Sequence, residues 1–278
     1  MHIEYHKWWS HYLNRDMEYK VYGHDGQALL AFPCQDGRYF DWENYHMIDV
    51  LAPFIEAGRL RVITVDGIDW ETWSNKGYWD NRAKIEHHEN WFKYVTDELL
   101  PNLRHNPEQM FITTGASMGG FHAANFFFRR PDLFNGVLAL SGLYHAAYGF
   151  GDYKDDLVYA NSPQDFLQNM PADHPWMQMY RQIRLCSAWV RDAGRMNFWQ
   201  AHARWTGFWQ RRAYLTGLTI GDMILTTTGH SGASRYHTSL RKCCVGRYKK
   251  VPLVRKNKRD FFSTFDCCSN CCLVVWWF

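Results

Sequence analysis

The sequence predicts an α/β fold: a mostly parallel central sheet with helices on both faces. Three observations carry this. Short apolar runs rich in β-branched residues recur along the first two thirds of the chain, and each is closed by turn residues. Helix-length amphipathic stretches fall between them. Strands and helices that alternate in this way pair in parallel and need cover on both faces. At 278 residues and 46% hydrophobic, the chain can bury one sizeable core.

The elements follow in order. Ala28–Phe32 is a strand ended by Pro33. Ile48, Leu51 and Ile55, with Gly58 as a stop, predict a helix over about 49–57. Arg61–Val65 is the next strand, ending at Asp66-Gly67. From Asp80 to Leu100, Ile85, Phe92, Val95 and Leu99 share a helical face, and Pro101 is expected to end it. A strand over 110–114, a helix over about 119–130 closed by Pro131, and a strand over 136–140 follow. Between 142 and 180, Gly149, Gly151, Pro163, Pro171 and Pro175 break the pattern. That stretch is expected to form a cap-like loop over the carboxyl edge of the sheet, where open α/β sheets bind ligands. Ile183–Cys186 begins a further strand.

Where the strand over 110–114 meets the following helix, the chain reads Gly115-Ala-Ser-Met-Gly119. Gly-x-Ser-x-Gly between a strand and a helix is the pattern of a nucleophile elbow. A serine on so tight a turn sits in strained backbone, and side chains two residues to either side would collide, so glycine is needed there. This predicts Ser117 as a catalytic nucleophile, with Met118 N–H as the first oxyanion donor at the helix N-terminus. The second donor is expected from the loop after the first core strand, Pro33–Gly37, with Gln35 N–H as the choice. Cys34 beside it is expected to be a small buried residue.

Residues 1–186 resemble a bacterial esterase family of α/β-hydrolases, related to esterase D and more distantly to mycolyltransferase-type acyltransferases. The matching stretches are 32–37, 41–44, 73–76, 115–120 and 123–132, extended by 140–144 and 173–176. The resemblance implies an α/β-hydrolase fold and ester hydrolysis by a Ser–His–acid triad in the chain order serine, acid, histidine. It places the acid after the strand that begins near Ile183. The histidine would lie near the C-terminus, in a Tyr-Asp-x-x-His-Asp-Trp setting.

After Cys186 that pattern stops. Residues 187–278 carry 15 Lys+Arg against 4 Asp+Glu, while residues 1–186 carry 16 against 24. Six of the eight cysteines lie in the second stretch, and no Glu occurs beyond Glu108. The genetic code offers an explanation. If each codon is rebuilt from the last base of one residue and the first two of the next, Met196-Asn197 must give Glu. In the same way Phe198-Trp199 must give Leu, Trp199-Gln200 Ala and Met223-Ile224 Asp. With synonymous choices elsewhere, the stretch from Gly217 onward reads VDYWGYDTNHDWPL, which restores the His-Asp-Trp ending. The expectation is a core over 1–186, including the cap-like loop 142–180, and an out-of-frame, poorly folded tail over 187–278. The gene would have lost or gained a nucleotide near codon 187, and the tail would lack the triad acid and histidine. The chain as written is then expected to show no esterase activity above background and to lack the last strands of its sheet.

Other features take plainer readings. With the frame intact, Asp192 and either His230 or His237 have the right order for acid and base. Glu86-His-His-Glu89 is expected to be a solvated helix face rather than a metal site. His145 is expected to be a polar loop residue at the end of a strand. Cys267-Cys268-Ser-Asn-Cys271-Cys272 lacks the second knuckle of a zinc site, and the basic run 249–259 lacks the aromatic interleaving of a nucleic-acid surface. The expected partner is a small-molecule ester, with no metal, cofactor, nucleic acid or membrane. The N-terminus has no apolar signal segment, so a cytoplasmic location is expected. Acyl transfer to an alcohol, and a non-catalytic binding protein on the same fold, are the alternatives to hydrolysis.

Overall fold

The computed structural model describes residues 1–75, 77 and 80–181, and the backbone of strands at 184–191, 220–226, 254–257, 260–266 and 272–275. The chain divides into two compact units, Met1–Cys243 and Cys244–Phe278.

The first unit is built on an eight-stranded sheet in the order β1-β2-β4-β3-β5-β6-β7-β8. The strands are β1 (Ile3–Ser10), β2 (Arg15–Tyr22), β3 (Gln27–Phe32), β4 (Leu60–Val65), β5 (Phe111–Ala116), β6 (Phe134–Leu140), β7 (Arg184–Arg191) and β8 (Ile220–Thr226). β1 and β2 form an antiparallel hairpin, and β2 runs antiparallel to β4. From β4 across to β8 every pairing is parallel. Side chains alternate across a strand, and β3 shows the result: Ala28, Leu30 and Phe32 enter one core while Leu29 and Ala31 enter the other.

Helices cover both faces. α1 (Asp41–Asn44) and α2 (Met47–Glu56) bury Trp42, Ile48 and Ile55 against Leu29, Ala31 and Val62. On the opposite face, α3 (Asn81–Lys93) and α5 (Met118–Arg129) bring Trp91, Phe92, Phe126 and Phe127 against Leu30, Phe32, Ile63 and Val65. Sequence placed a helix end at Pro101. Instead a π-helical turn, Tyr94–Leu99, follows α3 and leads into α4 (Leu100–Leu103). Pro101 sits in the first turn of α4, where a missing N–H costs little.

The cap-like stretch between β6 and β7 holds four short helices: α6 (Ala147–Phe150), α7 (Asp156–Ala160), α8 (Pro163–Asn169) and α9 (Pro175–Arg181). The prolines that break the longer periodicity open two of them, since a proline is compatible with a first helical turn. The expected break after residue 186 falls inside β7, and β8 also comes from the stretch read as out of frame. The sheet therefore continues as backbone where its last strands were expected to be missing. The frame itself concerns residues that mostly lie outside those described.

The second unit carries a three-stranded antiparallel sheet, β11-β10-β9, from β9 (Val254–Asn257), β10 (Asp260–Asp266) and β11 (Cys272–Val275). Among the described residues no helix is long and apolar enough to cross a membrane.

Candidate active site

β5 ends at Ala116 and α5 begins at Met118, leaving Ser117 alone at the bend. Its backbone has φ 55° and ψ −118°, a region costly for a residue with a side chain. Two hydrogen bonds hold it there: Ser117 N–H to the Leu140 carbonyl at 2.8 Å and Phe121 N–H to the Ser117 carbonyl at 3.1 Å. The flanking glycines are required by contact. A Cβ on Gly115 would lie 2.3 Å from the carbonyl carbon of Gly119, and one on Gly119 would lie 2.4 Å from the Pro33 carbonyl oxygen. Met118 and Gly119 are buried while Ser117 is exposed. Among the described residues, Ser117 Oγ has no hydrogen-bond partner.

The approach of Gly119 to Pro33 sets the elbow directly against the loop that leaves β3. Gly37 N–H closes that loop on the Cys34 carbonyl at 3.0 Å, and Asp36 turns it with φ 59°. Its exit is anchored by Arg38 Nε to Asp66 Oδ1 at 2.7 Å and Tyr39 N–H to the same oxygen at 3.0 Å. Gln35 is exposed at the tip. Among the described residues neither Gln35 N–H nor Met118 N–H meets an acceptor, so both backbone donors are unspent. Cys34 is half-buried. Burial, with the Asp41 and Asp69 carboxylates adding to it, pushes its thiol up to about 11, so it stays protonated and unreactive at neutral pH.

A buried polar layer lies beneath the elbow helix. His122, five residues after Ser117, bonds through Nε2 to Asp69 Oδ1 at 2.8 Å, and both side chains are almost fully enclosed. This ties α5 to the short turn after β4. Trp73 Nε1–H donates to His88 Nδ1 at 3.0 Å, and the His88 and His122 rings stack 5.5 Å apart. Burial, then the nearby His122 and Arg129, holds His88 well below the usual imidazole range, so it is neutral. Glu89 pairs with Arg129 at 2.8 Å and 2.9 Å. The stretch from Glu86 to Glu89 is thus not the solvated face expected from sequence: Glu86 faces solvent, but His88 and Glu89 point inward. The reason is tertiary, since α3 is clamped between Trp73 and α5. Asp69 and His122 were not singled out from sequence. His122 and Asn125, two polar residues within the mostly apolar run Phe121–Phe128, were the available signal.

His145, after β6, is a loop residue as expected. Its Nδ1 accepts the Ala147 N–H at 3.0 Å and its Nε2 lies 3.3 Å from Asp165 Oδ1. Both ring nitrogens are engaged, so His145 has no free nitrogen to take a proton from a serine. Asp192, His230 and His237 lie outside the described residues.

Comparison with known proteins follows the same lines. The family model described as "Putative esterase" matches residues 10–217, three quarters of the chain and beyond the break expected at 186. Among solved structures, a ferulic acid esterase aligns with a TM-score of 0.58 at 17% identity, covering 80% of this chain and 89% of the other. The S-formylglutathione hydrolase from Staphylococcus aureus aligns with a TM-score of 0.57 at 14% identity, covering 80% and 88%. Mycobacterium tuberculosis MPT51 aligns at 0.54 and 15% identity, covering 84% and 92%. No curated protein matches in sequence.

Proposed function

Since the chain belongs to this esterase family and is by that membership a serine carboxylic-ester hydrolase, we propose that Ser117 is its nucleophile and that Met118 N–H and Gln35 N–H form its oxyanion hole. The observation that carries this reading is the exposed, left-handed Ser117 between buried glycine contacts, packed against the loop that holds Gln35. Ser117 Oγ would attack the ester carbonyl carbon. The carbonyl oxygen becomes an oxyanion held by the two amides, collapse expels the alcohol, and water resolves the acyl-enzyme.

A serine hydroxyl attacks poorly unless a histidine takes its proton and an acid orients that histidine. No such histidine touches Ser117 among the described residues. We further propose that the codons for both partners stand in the other reading frame after residue 187. On this reading the chain as written keeps an elbow and an oxyanion hole without a base, and loses a factor of about a million in turnover. The substrate class is a small-molecule ester or thioester, in keeping with the ferulic acid esterase and S-formylglutathione hydrolase that share the fold.

A fluorophosphonate probe tests both parts. Applied to the chain as written and to a version with the frame restored at codon 187, it is expected to label only the restored protein, at Ser117, and to lose that label in Ser117→Ala. Labelling of the chain as written at Ser117 would overturn the missing base. A restored protein that stays unlabelled would overturn the nucleophile and favour a binding protein.

A further inference from the structure

A side chain of the cap reaches the loop after β3. Tyr148, on α6 and half-exposed, donates its hydroxyl to Gln35 Oε1. Gln35 Nε2–H in turn donates to Asp36 Oδ2 at 3.2 Å. Ser74 Oγ–H donates to Asp36 Oδ1, the stronger of the acceptors in its reach, and Ser74 N–H donates to the Asp69 carbonyl at 2.8 Å. Asp69 then takes His122 on the elbow helix. Polar contacts therefore run without a gap from the cap, through the loop that carries Gln35, to the helix that starts at the elbow.

α6 is seated firmly enough to act as the fixed end. Gly149 packs so closely on Trp73 that a Cβ would lie 2.7 Å from its indole ring. Phe150 stacks edge-on to the same indole at 5.0 Å, and the indole meets Phe121 of α5 at 4.5 Å. The loop itself has less to hold it. It lies outside the sheet ladder, turns at Asp36 through a left-handed residue, and closes on itself through Gly37 N–H to the Cys34 carbonyl. A short turn of this kind keeps its amides aimed only if its side chains are tied down.

We propose that Tyr148 is a positioning residue for the oxyanion hole: its bond to Gln35 ties the cap to the loop and keeps Gln35 N–H aimed at the elbow. The proposal rests on the reading of that amide as the second oxyanion donor. It makes the hole a joint product of sheet and cap.

Amide hydrogen exchange in the chain as written, followed by NMR at Gly37, tests the tie without needing turnover. Tyr148→Phe is expected to speed Gly37 exchange about five-fold, the worth of one ordinary hydrogen bond. Gln35→Met, which also removes the Asp36 contact, is expected to speed it at least as much, and the double variant to be no faster than Gln35→Met. Unchanged amides in β5 and α5 report that the fold is intact in each. A Gly37 rate untouched by Tyr148→Phe, or effects that multiply in the double variant, would each overturn the tie. Failure of the oxyanion reading shows elsewhere, as a frame-restored protein that takes no probe at Ser117.

Discussion

Gly119 has backbone oxygens where a side chain would begin: 2.4 Å to that of Pro33 and 2.7 Å to that of Phe32. Neither is the movable end of a side chain, so a methyl group must push β3's exit loop away from the elbow. Gly119→Ala is therefore expected to lower stability by about 2–3 kcal/mol, the cost of overpacking against a fixed neighbour. Urea unfolding measures it, and a midpoint equal to that of the parent would contradict the close approach. The same crowding made the elbow legible in the sequence, because Gly-x-Ser-x-Gly is written by local sterics. Asp69 and His122 were not legible in that way. They stand 53 residues apart, and only the packing of α5 over the turn after β4 makes them partners.

At the scale of elements, α3 and α5 share a polar layer that is buried and only partly paired. His88 is neutral there, with the Trp73 indole on one nitrogen and His122 and Arg129 as its charged or chargeable neighbours. In the unfolded chain the same imidazole takes a proton below about pH 6.5. The unfolded state then binds more protons than the folded one, so stability falls as pH drops below that value, by at most about 1.4 kcal/mol per pH unit. Unfolding followed from pH 7 to pH 5 is expected to show this decline, and His88→Gln, which keeps an acceptor for Trp73, is expected to flatten it. An equal slope in the variant would rule His88 out as the cause. Elements with buried apolar runs, β3 to β6, were legible from sequence, since each run is long enough to fill a strand between two helical layers. The β1–β2 hairpin was not. Its first strand exposes Ile3, Tyr5 and Trp9 and carries His and Lys between them, so neither alternation nor an apolar run marks it. The extension of α3 through Pro101 was hidden for another reason: a π-helical turn resets the register, and no periodicity announces it.

For the molecule as a whole, sheet order, cap and elbow converge on one edge of the parallel sheet, and the family match agrees with them. The swing from an acidic first part to a basic, cysteine-rich second part is a property of the sequence that the described fold does not need. On the proposed reading, a shifted frame marked by forced codon overlaps at four places is its cause. The central claim is that the fold presents Ser117 for acyl chemistry and that what activates it was lost with the frame. Hydrolysis of a short p-nitrophenyl ester, measured side by side for the chain as written and for the frame-restored protein, each with and without Ser117→Ala, tests this most directly. The expected result is a background rate, indifferent to Ser117→Ala, for the chain as written, and a rate about a million-fold higher that Ser117→Ala removes in the restored protein. Ser117-dependent hydrolysis by the chain as written, or a restored protein no faster than background, would contradict the account.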